Sequence, residues 1–273
     1  MSYKNLLLLI IVVVTFSCKK HKDAIVNQPP VTTEPPVLLK DVVIPNLPSP
    51  YYHFEYNEAG KPIFASFASN FTMYNIVYSG NRISEMKNNI IVNKDRLQYS
   101  YDDAGRVTTI MYADSMGVAY KKIALEYEGQ KLTELTRLII INNVFVLEKT
   151  MLFTYYPDGN LSEVIEDRPP LNGQPGTTTG DRFGQYDDKI NTDGFSLLHG
   201  EFFDHLVFLP GVQLQKNNPG KVNHFGSGDN YQVAYTYTYN DRKAPLIKSG
   251  TLTWQTGPNT GQIFHTTSIF TYY

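Results

Sequence analysis

Short stretches in which apolar and polar side chains alternate run through residues 51–165. In one of them, Leu97, Tyr99 and Tyr101 share one face, and polar residues occupy the other. Because successive side chains of a strand point to opposite faces, this alternation predicts strands with one buried and one wetter face. Similar patterning returns near the C-terminus, at residues 231–240, 246–255 and 262–273. The chain is therefore predicted to be mainly all-β.

A turn motif separates these strands and recurs five times. Its fullest form is Tyr-Ser-Tyr-Asp-Asp-Ala-Gly-Arg at residues 99–106. The turn glycines are Gly60, Gly80, Gly105, Gly129 and Gly159. Each follows the last tyrosine of the preceding strand by four or two residues in alternation, so longer hairpin turns are expected to alternate with tight ones. Glycine suits these positions because the backbone must adopt positive φ. The spacing predicts an antiparallel β-hairpin meander.

The strands that leave the turns carry apolar residues three apart, such as Ile83 and Met86 or Val107 and Ile110. This spacing breaks the alternation of a regular strand. Two explanations fit it: a β-bulge that recurs after each turn, or a sheet that is partly covered on both faces.

The motif Tyr-x-Tyr-[Asp/Asn]-x-x-Gly-[Arg/Lys] resembles the tyrosine–aspartate repeats, also called YD or RHS-like repeats. The layout of residues 51–273 is similar to that of YD-repeat-like lipoproteins of unknown function from Gram-negative bacteria. The resemblance implies a sheet built from repeated hairpins. It implies no specific activity, because the family has none assigned.

Residues 1–18 are predicted to be a lipoprotein signal peptide. Lys4 supplies the positive start, and the apolar residues 6–14 form a run too short to span a bilayer. Cys18, the single cysteine of the chain, follows that run and resembles a lipobox cysteine. The resemblance implies acylation of this residue with several chains, which is enough for stable membrane anchoring. An ordinary secretory signal with an incidental thiol is the alternative.

Residues 19–50 are predicted to be a proline-rich tether. Seven of the 16 prolines fall between residues 24 and 50, and this density favours extended polyproline conformations. An edge strand near Val42 that packs on the domain is the alternative. The lipid anchor implies an outer-membrane location, with the periplasmic or surface face left open.

The remaining residues, 51–273, are predicted to form one YD-repeat-like β-domain with a loop and helix insertion at about residues 166–230. Residues 195–209 favour a short helix, because apolar side chains from Phe195 to Leu206 fall on one stripe. If the domain has a ligand site, we expect it in this insertion, where the repeat is interrupted.

Candidate metal ligands fail on their spacing. His199 and His205 are six residues apart with Glu201 between them, whereas the zincin motif needs two histidines four apart. Asp187 and Asp188 open a segment that briefly resembles a calcium loop, but a lysine occupies the first ligand position. No metal site is therefore predicted.

Composition and missing motifs exclude several other functions. A net charge of −2 gives no electrostatic argument for nucleic-acid binding. The chain has no Walker loop, no dinucleotide fingerprint and no Gly-x-Ser-x-Gly elbow, so neither a cofactor nor a catalytic residue is predicted. The weak ligand-site candidates that remain are Asp187, Asp188, His199, Glu201, His205 and, as part of an aromatic glycan platform, Trp254.

The sequence therefore favours a membrane-anchored envelope lipoprotein that is not an enzyme and serves as a binding or structural module. Its predicted partner is the membrane, reached through the lipid anchor, and a glycan or an envelope protein stays open as its ligand. The alternative is a glycan-binding accessory protein or a glycan hydrolase. Aromatic side chains exposed along one sheet face would favour glycan binding, and carboxylates converging in a deep cleft would favour hydrolysis.

Overall fold

The structure is a computed structural model that describes residues 35–89, 94–200 and 204–273. Within these ranges the chain forms sixteen antiparallel strands and one five-residue 3-10 helix, Gly194–Leu198. The strands are β1 (Leu39–Val43), β2 (Tyr52–Tyr56), β3 (Pro62–Phe67), β4 (Thr72–Ser79), β5 (Arg82–Asn88), β6 (Arg96–Tyr101), β7 (Val107–Ala113), β8 (Ala119–Glu128), β9 (Lys131–Ile141), β10 (Val144–Tyr155), β11 (Leu161–Arg168), β12 (Thr177–Gly184), β13 (Lys221–Gly226), β14 (Tyr231–Tyr239), β15 (Pro245–Trp254) and β16 (Ile263–Tyr272). In the described part of the chain, no helix has the length and apolar character needed to cross a membrane.

The strands close into a barrel. Each pairs with its neighbour in chain order, and β1 pairs with both β2 and β16. The predicted all-β antiparallel class is confirmed. The closing strand lies inside the range predicted to be a tether. A strand near Val42 does pack on the domain, but it pairs on both sides and is not the edge strand of the alternative. Leu39 and Val42 are buried there, and no proline falls within β1.

Alternation along each strand divides the barrel into an apolar inside and a largely polar outside. Leu97 and Tyr99 are buried, whereas Gln98 and Ser100 on the same strand are exposed. The largest fully buried side chains include Tyr74 of β4. The interior is therefore a packed hydrophobic core.

A β-bulge follows every repeat turn. In β7, Val107 pairs with Tyr101 and Thr109 with Ser100, so Thr108 is skipped. The extra residue restores the inward orientation, and Val107 and Ile110 are both buried although they are three apart. The equivalent register shifts skip Ile63, Ser84, Thr133 and Ser162. Of the two explanations that fit the spacing, the recurring bulge is the correct one.

The structure shows why Asp or Asn opens two of the three longer turns. The Oδ1 atom of Asp102 accepts a hydrogen bond from the backbone N–H of Arg106 at 2.9 Å, and Asn57 does the same for Lys61 at 3.0 Å. These bonds to the backbone and side chain of Arg106 hold the pKa of Asp102 below its usual value. The longer turns close on glycines with φ of +72°, +83° and +93°, at Gly60, Gly105 and Gly159. The tight turns have φ of +60° at Gly80 and +59° at Gly129.

A pair of contacts joins each repeat to the next, and we call it the tyrosine stitch. The Tyr101 hydroxyl donates to the carbonyl oxygen of Ile83 at 2.8 Å, and the guanidinium of Arg82 lies 5.2 Å from the Tyr101 ring centroid. The same contacts join Tyr78 to Pro62 and Lys61, Tyr127 to Val107 and Arg106, and Tyr155 to Leu132 and Lys131. The tyrosine and the basic residue of the motif therefore bind each other across neighbouring repeats.

The segment of residues 185–220, which we call the insert, connects β12 to β13 and fills the barrel interior. Its residues Leu206, Val207 and Leu214 belong to the same buried cluster as the wall. The prediction of a helix over residues 195–209 is wrong, because only the short 3-10 helix forms in the described residues. Since the wall surrounds the insert, its apolar side chains need no single helical stripe.

The predicted insertion also contains barrel strands on either side of the insert. Residues 166–168, 177–184 and 221–226 belong to β11, β12 and β13.

Asp193 precedes the 3-10 helix and makes no side-chain cap bond to it. Its carboxylate accepts a hydrogen bond from Lys248 Nζ at 2.9 Å.

Candidate functional site

The two ends of the barrel differ. One end, the turn rim, carries the repeat turns and the place where the insert enters. The opposite end, the far rim, carries the alternate connections, such as the turn between β9 and β10. The described chain also starts at the turn rim, because Leu39 pairs with Tyr272, and Pro36 lies beside Gly60.

A cavity of about 630 Å³ lies between strands β2–β5 and the insert. Its lining is mostly apolar and includes Phe54, Ile83, Phe195, Leu198, Phe208 and Leu214. The Phe54 ring packs edge-on against Phe195 at 5.1 Å and Phe208 at 5.9 Å between centroids. A cavity of this size and character fits the usual range of small-molecule sites.

A few polar groups line the same cavity. Asn81 and Gln213 have exposed side chains and therefore mark the side open to water. Lys61 Nζ donates to Asn81 Oδ1 at 2.8 Å and lies 5.4 Å from the Tyr78 ring centroid. A charged amine thus stands at the edge of an otherwise apolar chamber.

A second cavity of about 290 Å³ lies between the insert and strands β12–β16. Its lining includes Tyr231, Tyr235 and the Lys248–Asp193 ion pair, with the Lys248 ammonium 4.8 Å from the Tyr235 ring centroid. Burial by itself disfavours the charged ammonium, but Asp193 and Tyr235 outweigh it and raise the pKa of Lys248. The amine therefore stays protonated at neutral pH.

An aromatic row borders the second cavity. The His224 ring stacks on Tyr231 at 4.5 Å, and Trp254 packs edge-on against Tyr231 at 5.2 Å. His224 Nδ1 lies 2.8 Å from Asp181 Oδ1. Burial raises the pKa of Tyr231 to about 12. Within the described residues, the Trp254 indole N–H is buried without a hydrogen-bond partner. The side chain of Trp254, the aromatic candidate of the sequence analysis, is therefore only partly exposed.

His199 is buried in the insert. Its Nε2 lies 3.0 Å from the backbone carbonyl oxygen of Asp204, which can only accept, so Nε2 donates. Nδ1 then accepts from the Tyr52 hydroxyl at 2.9 Å. Burial lowers the pKa of His199 and favours the neutral ring.

His205 also contacts the inside of the wall. Its Nδ1 lies 2.6 Å from the Tyr74 hydroxyl, and its Nε2 lies 3.0 Å from Asp95 Oδ2. The Tyr120 hydroxyl donates to the same carboxylate oxygen at 2.6 Å. Both ring nitrogens of His205 are therefore occupied by protein groups.

The remaining candidates lie elsewhere. Asp187 Oδ1 accepts hydrogen bonds from the backbone N–H groups of Lys189 at 2.9 Å and Asn218 at 3.1 Å. The bond to Asn218 joins residues near the two ends of the insert. Asp188 is exposed and pairs with Lys189. The structure therefore does not bring the aspartates, the histidines and Trp254 into one site. Cys18 and Glu201 lie outside the described residues.

Across residues 35–89, 94–200 and 204–273, no group of three or more His, Cys, Asp and Glu side chains is arranged to hold a metal ion.

A buried ion-pair network near the far rim is the feature that the sequence did not predict. Arg137 Nη1 lies 2.6 Å from Asp204 Oδ2, and Arg137 Nε lies 2.5 Å from Glu148 Oε2. Lys121 Nζ lies 3.6 Å from Asp204 Oδ1. A usable signal was present, because Lys121, Arg137 and Lys149 occupy strand positions where the alternation calls for inward apolar residues.

No protein-family model matches the chain, and no curated protein matches its sequence. Among solved structures, a porin-like protein from Bacteroides uniformis is 12% identical over 81% of this chain and 89% of that chain, with a TM-score of 0.55. A porin-like protein from Bacteroides vulgatus is 13% identical over 86% and 98% of the two chains, with a TM-score of 0.54. A TcdB2-TccC3 structure is 13% identical over 78% of this chain and 14% of that chain, with a TM-score of 0.28. At these identities the two porin-like proteins show the barrel fold that they share with this chain.

Proposed function

We propose that this chain is a non-enzymatic binding module of the cell envelope and that its ligand occupies the 630 Å³ cavity at the turn rim. The observation that carries the proposal is the lining of this cavity, which is mostly aromatic and aliphatic, whereas the smaller second cavity contains an ion pair. Apolar chambers with a few polar groups at one side are the usual form of small-molecule sites.

The lining indicates the class of ligand. Phe54, Phe195 and Phe208 offer ring edges and faces to an apolar group. Lys61 and Asn81 offer a charge and an amide at the side open to water. This combination suits an amphipathic molecule with an aliphatic or aromatic body and an anionic or polar end.

The proposal includes the membrane anchor. Cys18 would be acylated after removal of the preceding residues, and residues 19–34 would tether the barrel to the outer membrane. Val37 and Leu39, where the described chain begins, line the cavity. The described part of the chain therefore begins beside the cavity, and a lipid anchor joined to it would make the membrane a source of an apolar ligand.

The proposal also includes membership among YD-repeat-like proteins. Support comes from the tyrosine stitch, which gives the tyrosine and the basic residue of each motif a repeated physical role. A structural, non-catalytic role is favoured for the titratable groups of the insert. His205 already contacts Tyr74 and Asp95 through its two ring nitrogens.

Binding of a fluorescent fatty-acid probe to the full-length protein, produced without lipidation, tests the cavity. Val212 lines the cavity and is half-buried, so Val212→Trp should fill part of it and weaken probe binding by at least about tenfold. Val118→Trp is the matched control, because Val118 is 58% exposed in a far-rim turn. Gln213→Trp, at the open side, provides a milder second variant if Val212→Trp folds poorly. Equal probe affinity in all variants would contradict the proposal.

A second candidate function, glycan binding, is favoured by the row of His224, Tyr231 and Trp254 beside the 290 Å³ cavity. Aromatic faces beside hydroxyl and carboxylate groups suit a sugar ring. Trp254 is the only tryptophan, so its fluorescence reports on this place alone. A glycan that shifts the Trp254 emission in the wild type but not in Tyr231→Ala would support this candidate. The fatty-acid probe should leave that emission unchanged if the first cavity is its site.

A further inference from the structure

The β9–β10 hairpin extends beyond its neighbours at the far rim. The last pair between β8 and β9 is Lys121 with Ile139, and the last pair between β10 and β11 is Thr150 with Asp167. Beyond those pairs, β9 and β10 continue to pair with each other up to the Asn142–Asn143 turn. We call residues 138–149 the finger; they comprise this extension and the last two β9 residues that still pair with β8.

The finger is apolar on both faces. It reads Leu-Ile-Ile-Ile before the turn and Val-Phe-Val-Leu after it. Val144 is 61% exposed, Phe145 39% and Leu147 36%. Residues 138–147 carry no charge. Exposed apolar side chains also occur on β16, such as Ile263 and Phe264, but polar residues follow them directly along that strand.

Apolar side chains of the finger lie on the outward face of the wall. Leu147 pairs with Leu138 and Phe145 pairs with Ile140, which places these four side chains on the outward face. The next apolar member on that face is Leu152, which is 45% exposed. The paired Thr150 and Thr136 separate Leu152 from Leu147, so the apolar patch proper is made by the finger. A cluster of exposed apolar side chains of this kind marks an interaction surface.

The finger also offers an unpaired strand edge. Among the described residues, the β10 segment 144–149 pairs with β9 and with no strand on its other side. An edge of this kind presents backbone N–H and C=O groups to another strand, and natural proteins usually protect it with charges or proline. This edge has neither over residues 144–147.

We propose that the finger pairs edge to edge with the finger of a second copy of this chain and forms a two-fold dimer. A two-fold axis through Val146 would bring Phe145 of one copy opposite Leu147 of the other, with both on the outward face. Because residues 138–147 are uncharged, self-pairing brings no like charges together. Contacts between identical patches of this kind are the usual basis of symmetric dimers.

Insertion of the finger into a bilayer fits the structure less well. Asn142 and Asn143 form the tip, so two amide side chains and the turn backbone would enter the hydrocarbon first, at a high desolvation cost. The described chain moreover begins at the opposite rim, where Leu39 pairs with Tyr272. A tether attached there leaves the finger free to meet another copy.

Sedimentation velocity over a concentration series tests the proposal, using the full-length protein without lipidation. The wild type should shift from monomer toward dimer, and Phe145→Lys should stay monomeric at every concentration. Thr236→Lys, an exposed change on a distant strand, is the charge-matched control and should dimerise like the wild type. Failure of the wild type to associate, or equal association of Phe145→Lys, would overturn the proposal.

Cross-linking provides a second measurement that does not depend on the lysine variants. In a Cys18→Ser background, which removes the only native cysteine, Val146→Cys lies at the proposed two-fold axis and should form a disulfide-linked dimer under mild oxidation. Thr236→Cys should not. Absence of the Val146→Cys dimer would overturn the two-fold pairing, as would binding of the monomer to lipid vesicles that Phe145→Lys abolishes. Neither result bears on ligand binding in the cavity.

Discussion

The wall of strands β2–β11 and the insert of residues 185–220 are held in place by different means. The wall repeats a few local contacts: a turn closed by Asp or Asn, a bulge and a tyrosine stitch. The insert repeats nothing and depends on single long-range contacts, such as Arg137 with Asp204 and Tyr52 with His199. Stability is therefore spread over many small contributions in the wall and concentrated in a few groups in the insert.

This difference predicts how each region responds to mutation. Loss of one stitch leaves the equivalent contacts of the other repeats intact. Loss of one insert contact leaves a buried polar group without its partner, and the cost of such a group exceeds the net value of an ordinary hydrogen bond.

The largest effect is expected from Asp204→Asn. This change removes a carboxylate charge that lies beside the buried Arg137 and Lys121, so the free energy of unfolding should fall by about 3 kcal/mol. Urea denaturation measures it. Glu163→Ala removes the partner of Arg182, which is 62% exposed, and as the control should cost about 0–1 kcal/mol. Similar losses for both changes would show that the insert is no more sensitive than the surface.

A pH dependence is expected next. Because burial lowers the pKa of His199 in the folded state, the unfolded chain binds a proton more readily as the pH falls below about 6.5. Stability should therefore be full above that pH and decline below it, by up to roughly 1.4 kcal/mol per pH unit for one proton. His199→Asn should flatten the decline between pH 6.5 and 5. His265→Asn, at an exposed position, should leave it unchanged.

Within the wall, Gly105→Ala should lower the free energy of unfolding modestly, and by more than Tyr127→Phe does. Gly105 has φ of +83°, and an L-residue in the left-handed region costs about 1–2 kcal/mol. Gly184→Ala is the control, because an added Cβ there meets nothing within 4 Å and φ is not in the left-handed region. Thermal unfolding of both variants separates backbone strain from simple loss of glycine. A neutral Gly105→Ala would mean that the turn does not need positive φ.

The smallest effect is expected from Tyr127→Phe. It removes one stitch bond, from the Tyr127 hydroxyl to the Val107 carbonyl oxygen at 2.8 Å, and should cost about 1 kcal/mol. Tyr231→Phe is the control, because no hydrogen bond of the Tyr231 hydroxyl occurs within the described residues. If the two changes were equally harmless, the stitch would be a by-product of packing and not a stabilising contact.

Much of the wall could be predicted because its rules are local. Alternation fixed which residues of β6 face inward, and the spacing of Tyr101 and Gly105 located a turn with positive φ. The apolar residues three apart left a recurring bulge as one of two explanations, and the register of the strands decided between them. Each of these features depends on residues close together in the chain, so their pattern is visible in one dimension.

The insert could not be predicted in the same way. Its apolar residues suggested a helix stripe, but they contact a wall on all sides, so their spacing carries no helical information. The ion pair of Arg137 with Asp204 and the contact of His205 with Asp95 join residues far apart in sequence. The only sequence feature that indicated the ion pair is the presence of basic residues at inward-facing strand positions, such as Arg137.

The sequence by itself determined an antiparallel all-β chain and its turns, since these depend on backbone preferences and side-chain alternation over a few residues. Only the tertiary structure decided that Leu39–Val43 closes the sheet into a barrel, that the insert fills it, and that a cavity remains beside β2–β5. The physical reason is that closure and cavity volume depend on how distant surfaces fit together, and no local pattern of residues records that fit.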